Sequence, residues 1–334
     1  SAGLGTWQPV AGWQPWLVAV FALIFTLGYT ILSLPLSYYQ GFVLPGRYGL
    51  RTQALGGWLA DQAKGVVLSL IFLVVVVEVL YLLLATQPQT WWLWLAGIAL
   101  VFTVLLANLA PVLLLPLFYK MTPMPEGELR TRLLAMADKA HTKVRGVFVM
   151  GMSQKTTEGN AALMGLGNTR RIVVGDTIIR DFAPDEIEVV LAHELGHHVH
   201  NDIAKLIATQ TVLTVGGLAL VNVGLQAIVG NATAGLHTLA DVATLPVLAA
   251  LLGLYSFVTG PLGNTLSRAI EHDADQYALE TTHDPAAFSR AFYRLANQNL
   301  AQLDPNPIIE ALFYDHPAIS KRLRHAEEWQ QANH

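Results

Sequence analysis

Five apolar stretches constrain this 334-residue chain more than any other feature of its sequence. A helix needs about 20 apolar residues to cross the hydrocarbon core of a bilayer. Only 13% of the residues are charged, whereas soluble domains carry about a quarter. The predicted fold is therefore mainly α, with polytopic membrane helices in contact with the lipid bilayer. The predicted spans are Trp16–Leu36, Val66–Thr86, Trp91–Leu115, Ile203–Val229 and Val242–Leu262.

The basic residues predict an orientation for these spans. All 20 Lys and Arg residues fall within residues 47–64, 120–205 and 268–324. The N-terminal stretch, the turn 87–90 and the loop 230–241 carry none. Because cytoplasmic loops are enriched in Lys and Arg, we expect an N-terminus outside and both polar regions on the cytoplasmic side. A net charge of −4 gives no reason to expect a nucleic-acid partner.

The first polar region, residues 126–202, has the pattern of a small α+β unit. The expected elements are helices Glu128–Ala140 and Asp181–Asn201 and strands Val144–Met150, Asn160–Gly165 and Arg171–Thr177. The second polar region is helical in pattern, with breaks near Asp284-Pro285, Asp304-Pro305 and His316-Pro317. We expect four parts: a transmembrane region 1–119, an α+β catalytic unit 120–202, a transmembrane hairpin 203–262 and a helical catalytic region 263–334.

A His-Glu-x-x-His motif on the second predicted helix points to metal chemistry. His193 and His197 are four residues apart, so they share one helix face and can bind one metal ion. Glu194 lies beside them, where it can act as a general base toward water. The six residues from His197 to Ile203 correspond to about 9 Å of helix. We therefore expect the zinc-protease domain at the inner membrane face.

A catalytic zinc ion takes three protein ligands and keeps a fourth position open. The chain has no cysteine, so the third ligand must be His, Asp or Glu, and a Cys nucleophile is excluded. A second dense cluster of His and carboxylate side chains lies on the helix after the last span. Spacing leaves several candidates open: Glu271, His272, Asp273, Asp275 and, from the first helix, His200.

Several motifs beyond the zinc motif resemble, in their order, those of the type I CAAX prenyl protease family, integral-membrane zinc proteases of the gluzincin kind. They extend over most of the chain, from about Leu34 to Arg322. The matching segments are Leu34-Pro35, Arg47-Tyr48-Gly49, Pro116-Leu117-Phe118-Tyr119-Lys120, Gly159-Asn160-Ala161-Ala162, Arg171-Ile172-Val173, Ser267-Arg268 and His316-Pro317.

This resemblance implies roles for individual residues. Glu271 would be the third ligand of one zinc ion per chain, and His316 would stabilise the oxyanion. Arg322 would pair with Asp275 and hold the site together. Asn160, Ala161 and Ala162 would lie on an edge strand that pairs with the substrate backbone. Family members enclose a water-filled chamber in a ring of seven membrane helices, whereas five are counted here; an absent N-terminal portion would account for one or two.

The leading interpretation is a zinc metalloendopeptidase that hydrolyses peptide bonds near the C-terminus of membrane-delivered, possibly prenylated, peptide or protein substrates. The alternative is a quality-control zinc protease of the membrane resembling HtpX, which shares the zinc motif; the motifs in residues 34–64 favour the CAAX type. An intramembrane protease of the site-2 class would carry its motif inside a span. A non-catalytic transporter or scaffold is disfavoured because every catalytic position is filled.

Overall fold

The computed structural model describes residues 14–229, 231 and 235–333 of the chain. Its helices are α1 Pro15–Tyr38, α2 Leu44–Arg47, α3 Leu55–Thr86, α4 Trp91–Leu109, α5 Leu115–Phe118, α6 Glu128–Lys139, α7 Asp176–Asp181, α8 Pro184–Val199, α9 Asp202–Val229, α10 Thr244–Thr282, α11 Pro285–Gln298, α12 Pro307–Phe313 and α13 Ile319–Asn333. The strands are β1 Met121–Pro123, β2 Val147–Met150, β3 Ala161–Met164 and β4 Arg171–Gly175. Two π-helical segments, Tyr39–Val43 and Ala110–Leu114, interrupt the first and third spans.

Five helical segments within the described residues are long and apolar enough to cross a membrane. They are Pro15–Arg47, Leu55–Thr86, Trp91–Phe118, Asp202–Val229 and Thr244–Thr282. Each contains or overlaps one predicted span, so the predicted fold class of membrane helices with a small α+β unit is confirmed. The last helix extends far beyond the predicted end at Leu262. It therefore carries Glu271 and Asp275 on the same continuous helix as the fifth span.

The described residues form two compact units. The first unit contains residues 14–42, Gly56–Phe102 and Gln210–Thr259; the second contains Val43–Leu55, Thr103–Thr209 and 260–333. Both units gather segments that are distant in sequence. The four-part division of the chain stays a prediction.

A buried cluster that includes Val18, Tyr81, Trp91 and Leu225 holds the first unit together. The Trp91 indole N–H donates to Asn222 Oδ1 at 2.8 Å, and Tyr81 Oη donates to the carbonyl of Val242 at 3.0 Å. Such hydrogen bonds between distant segments satisfy polar groups that have no water partner within a bilayer. Many large apolar side chains on the outer faces of these helices are exposed, as lipid-facing positions would be.

The second unit contains a four-stranded sheet in the order β1-β2-β4-β3. Strands β2 and β4 are parallel, while β1 and β3 pair antiparallel at the two edges. β4 is buried because separate hydrophobic clusters cover its two faces, one around Ile172 and Val174 and one around Val173. This arrangement leaves β3 with one edge that pairs with no other strand of the described residues.

Local structure departs from the predicted elements at two places in this unit. The helix predicted over Asp181–Asn201 corresponds to α8, which begins later, at Pro184; Asp181 is the last residue of the separate helix α7. Phe182 and Ala183 are extended, with ψ of 147° and 154°, and for Ala183 the helical region is disfavoured because this residue directly precedes Pro184. Strand β1 was not predicted, since three residues cannot show an alternating pattern. The predicted breaks in the C-terminal region are confirmed: Asp284 and Asn306 cap α11 and α12.

Candidate metal centre

Helix α8 carries the two histidines one turn apart on the same face. The helix is buried along most of its length, and the His193 side chain is 8% exposed. Its start is fixed by Pro184 in the first turn and by Glu186, which accepts a hydrogen bond from the backbone N–H of Ala183 at 2.9 Å. The resulting position is rigid, as a metal ligand requires.

Helix α10 brings Glu271 against this face. His193 Nε2 lies 3.3 Å from Glu271 Oε2, and His197 Nε2 lies 3.3 Å from Glu271 Oε1. Close helix packing makes this possible, because Gly196 has no side chain. A Cβ atom at Gly196 would lie 3.1 Å from Ala274 Cα and 3.2 Å from Tyr277 Cβ. One ligand atom from each of His193, His197 and Glu271 lies within 4.8 Å of the other two.

Each histidine is held through its second ring nitrogen by a buried carboxylate. Asp275 Oδ1 lies 2.9 Å from His193 Nδ1, and Asp202 Oδ2 lies 3.1 Å from His197 Nδ1. Such contacts fix the tautomer that protonates Nδ1 and direct the Nε2 lone pair toward a metal. Asp202 belongs to no motif of the sequence and was not predicted to contribute to the site. The left-handed Asn201, with φ of 58°, ends the turn after α8 and returns Asp202 toward His197.

Arg322 of α13 lies against Asp275, the carboxylate that contacts His193. Its Nε donates to Asp275 Oδ2 at 2.8 Å, and its Nη2 donates to Asp275 Oδ1. The guanidinium also lies 3.8 Å from the centre of the Phe292 ring. Both charged side chains are buried, so each neutralises the other where water does not reach.

The carboxylates favour positive charge on both imidazoles. Burial lowers the pKa of His193, but its contacts with Asp275 and Glu271 outweigh that effect and raise the pKa to about 9. Burial likewise opposes the charged form of His197, yet the contact with Glu271 is the main cause that raises its pKa. A cation placed among these groups would compete with those protons.

The donor set fits a metal ion. Glu271 Oε2 is buried and has no hydrogen-bond partner among the described residues, which is costly unless a cation occupies the space it faces. Two imidazole nitrogens and one carboxylate suit zinc among the common metals. The third-ligand candidates His272 and Asp273 have side chains 59% and 62% exposed, and they are not part of this cluster.

Glu194 lies between the metal ligands and the edge strand. The backbone N–H of Leu163 in β3 points toward Glu194 Oε2, at 3.4 Å. Glu194, His197 and Glu271 line the same cavity, which has a volume of about 210 Å³. The carboxylate is therefore next to the space in which a reacting water and peptide would lie.

The alternation of β3 decides which of its backbone groups face that edge. Asn160 accepts a hydrogen bond from the Gly175 N–H at 2.8 Å, so its carbonyl is used within the sheet. Neighbouring residues of an antiparallel strand alternate in direction. Ala162 therefore also pairs with β4, whereas Ala161 and Leu163 present their N–H and C=O groups to the free edge. The side chain of Asn160 is exposed just before the strand.

His316 reaches the centre from the irregular segment before α13. Its Nε2 lies 3.3 Å from Glu271 Oε1, and its Nδ1 lies 2.8 Å from Asp315 Oδ1. The side chain is 56% exposed, unlike the ligand side chains. The structure thus brings His316, Glu194 and the three candidate ligands together, although more than a hundred residues separate the two segments.

Comparison with known proteins gives matches over almost the whole chain. The family model for peptidase family M48 matches residues 123–330, and the model described as CAAX prenyl protease N-terminal, five membrane helices, matches residues 6–120. An uncharacterized metalloprotease, YhfN of Bacillus subtilis, is 30% identical over 314 residues, which is 93% of this chain and 74% of that protein. The CAAX prenyl protease 1 homolog of Arabidopsis thaliana is 30% identical over 302 residues, covering 88% and 69% of the two chains.

Among solved structures, the crystal structure of S. mikatae Ste24p is similar, with a TM-score of 0.86 and 25% sequence identity. The match covers 92% of this chain and 75% of the Ste24p chain. Similarity at this level extends through both the spans and the α+β unit.

Proposed function

We propose that this chain is a zinc endopeptidase which cleaves near the C-terminus of membrane-delivered substrates. The chain belongs to peptidase family M48 and is an integral, multi-pass membrane metalloprotease of the CAAX protease type. The observation that carries this proposal is the cluster of His193, His197 and Glu271 beside Glu194 and a free strand edge. The family implies a metal and a peptide substrate. The choice of zinc rests on the donor set.

His193, His197 and Glu271 would hold one zinc ion per chain. When bound, zinc supplies Lewis acidity, which lowers the pKa of water and polarises a carbonyl group. Asp275 and Asp202 hold the two imidazoles in the orientation that exposes Nε2. Arg322 keeps Asp275 ionised and in place through its paired contacts.

Glu194 acts as the general base. It accepts a proton from the attacking water while the oxygen of that water bonds to the peptide carbon. The C–N bond then breaks, and Glu194 delivers the proton to the leaving amine. Its contact with the Leu163 N–H supports this role, because the substrate would lie along the same edge strand.

The substrate backbone adds to β3 as a further strand. Ala161 and Leu163 supply the outward-facing groups, and the exposed side chain of Asn160 provides an additional contact; Ala162 supports this strand through its pairing with β4. His316 donates toward the oxygen of the scissile carbonyl as negative charge develops there. Its exposure leaves Nε2 free to turn from Glu271 toward a bound substrate.

Prenylated C-terminal substrates are the class we propose, since the N-terminal match to the CAAX prenyl protease model covers residues 6–120. This match favours the CAAX type over a quality-control protease. The concentration of basic residues in segments 47–64, 120–205 and 268–324 supports a catalytic region on the cytoplasmic side. The negative net charge does not favour a nucleic-acid partner.

The substitution Glu194→Gln tests the proposal. It removes the base but keeps the shape, so peptide cleavage should fall by roughly 10²–10⁴-fold. Zinc content by elemental analysis and the melting temperature in detergent should stay at the parental values. Glu327→Gln, an exposed position on α13, is the matched control and should cleave like the parent. Cleavage by Glu194→Gln above a few per cent of the parental rate would exclude this role.

A further inference from the structure

Arg170 follows the turn between β3 and β4 and lines the cavity that contains Glu194, His197 and Glu271. It is a half-buried cation, and burial lowers its pKa. In the described part of the chain its guanidinium forms no hydrogen bond and no ion pair. A cation that is partly removed from water normally has an anionic partner.

The adjacent residue, Arg171, has different surroundings from Arg170. Arg171 stacks on Phe148, with its guanidinium 5.1 Å from the ring centre, and donates to the carbonyl of Thr169 at 3.4 Å. It does not line the cavity. Two arginines in succession thus have different surroundings: Arg171 is packed against the protein, and Arg170 points at the space beside the reacting groups.

Three anionic side chains line the cavity, and among the described residues none of them forms an ion pair with Arg170; Glu194 contacts the backbone N–H of Leu163 instead. Asp202 is already paired with His197 and, at 2.8 Å, with the ammonium of Lys205. Glu271 faces the two histidines. Within the described residues, the cavity wall therefore carries a positive charge that has no ion-pair partner and is available to an anionic group of a bound peptide.

The strand register gives the position of this charge along a bound peptide. Leu163 lies opposite Glu194, and Gly165, which directly follows the end of β3 at the start of the turn before Arg170, also lines the cavity. Two residues of strand correspond to about 7 Å. Antiparallel pairing is the commoner arrangement of neighbouring strands. A substrate paired in this way has its N-terminal side at the Gly165 end of β3.

From this geometry we infer that Arg170 is a specificity-determining residue, which pairs with an acidic side chain at the third residue N-terminal to the scissile bond. The inference rests on the proposed peptidase activity and adds a preference to it. A charge-assisted hydrogen bond of this kind corresponds to about tenfold or more in affinity. Arg170 does not touch the reacting atoms, so the effect belongs in KM more than in kcat.

The test uses the zinc-loaded, full-length protein in detergent and quenched fluorescent peptides whose cleavage site has been mapped by mass spectrometry. The peptides differ only at the third residue before the scissile bond, which is Glu, Gln or Lys, and each is made with a free and an amidated C-terminus. The enzymes are the parent, Arg170→Gln, Arg170→Lys and the matched control Arg171→Gln. Zinc content and melting temperature are recorded for each.

We expect the parent and Arg171→Gln to prefer the Glu peptide over the Gln peptide by about tenfold in kcat/KM, mostly through KM. Arg170→Gln should lose this preference while it still cleaves the Gln peptide at the parental rate. Arg170→Lys should retain part of the preference for the Glu peptide. This variant keeps the positive charge, so it also tests the inference if Arg170→Gln does not fold.

Three results would overturn the inference: no preference in the parent, the same preference in parent and Arg170 variants, or a preference abolished by C-terminal amidation alone. The last would mean that Arg170 binds the terminal carboxylate instead. In all three the parent still cleaves the Gln peptide, so the proposed activity stands. If the zinc-loaded parent cleaves no peptide, the proposed function fails and this inference fails with it.

Discussion

The substitution Asp202→Asn tests whether the carboxylate behind His197 contributes to metal binding. Asp202 is 1% exposed and accepts two hydrogen bonds, from His197 Nδ1 at 3.1 Å and from Lys205 Nζ at 2.8 Å. Asparagine keeps the volume and one acceptor oxygen. It removes the negative charge, so the bond to the imidazole becomes a neutral one.

The expected loss of zinc affinity follows from replacing a charged hydrogen-bond acceptor by a neutral one. A hydrogen bond to a charged group contributes about 1.5–3 kcal/mol and a neutral one about 0.5–1.5 kcal/mol. The difference of roughly 1–1.5 kcal/mol corresponds to about tenfold in an equilibrium constant. Lys205 is 49% exposed, so water can replace its lost partner and the cost in global stability should be small. We expect the Kd for zinc to rise about tenfold, within the range typical of carboxylates that orient metal-binding histidines.

Competition with a chromophoric chelator measures zinc affinity directly, and thermal unfolding in detergent measures stability. Activity at saturating zinc should fall much less than affinity. Asp273→Asn, which changes an exposed carboxylate on α10, is the matched control and should leave the Kd unchanged. Equal zinc affinity in Asp202→Asn and the parent would show that the contact is incidental to metal binding.

Three further predictions concern the oxyanion, proton release and topology. His316→Ala should lower kcat by about 10²–10³-fold with zinc retained, since it removes a donor to developing negative charge; parental turnover would leave His316 without this role. Zinc binds neutral imidazole, and the metal-free pKa of His193 is about 9, so zinc affinity should fall as the pH decreases below about 9. Calorimetry in buffers of different ionisation enthalpy should detect the released protons, and an affinity independent of pH would contradict this. Cysteines introduced at Gly235 and Gln302 should react with impermeant reagents from opposite sides of the membrane, because α10 separates them; labelling from one side would refute the fifth span.

The membrane helices could be predicted from sequence because bilayer crossing requires a long apolar run, and that requirement is local. The zinc motif was recognisable for the same reason, since one turn of helix fixes the relation of His193 to His197. Spacing alone could not choose Glu271 over His272 or Asp273. That choice depends on which face of α10 packs on α8, which is a property of tertiary structure.

Asp202 and Arg170 show where sequence reasoning stops. Asp202 is five residues after His197, and an uninterrupted helix would carry it away from that histidine. The left-handed conformation of Asn201 reverses this, and a single residue with positive φ leaves little trace in a pattern. Arg170 is one of two adjacent arginines, and nothing in their order tells which one lacks a partner. The two arginines have different surroundings because Arg170 lies in the turn before β4 and Arg171 is the first residue of β4.

The close approach at Gly196 limits how this metal centre can be altered. Contact between the backbones of α8 and α10 at Ala274, and not the length of any ligand side chain, fixes the distance across which the ligands meet. The helices cannot move closer to compensate for a shorter ligand. An aspartate at position 271 would therefore leave its carboxylate about one methylene short of the two imidazoles. To bind a different metal, this centre would need ligand side chains whose lengths match the fixed distance between α8 and α10.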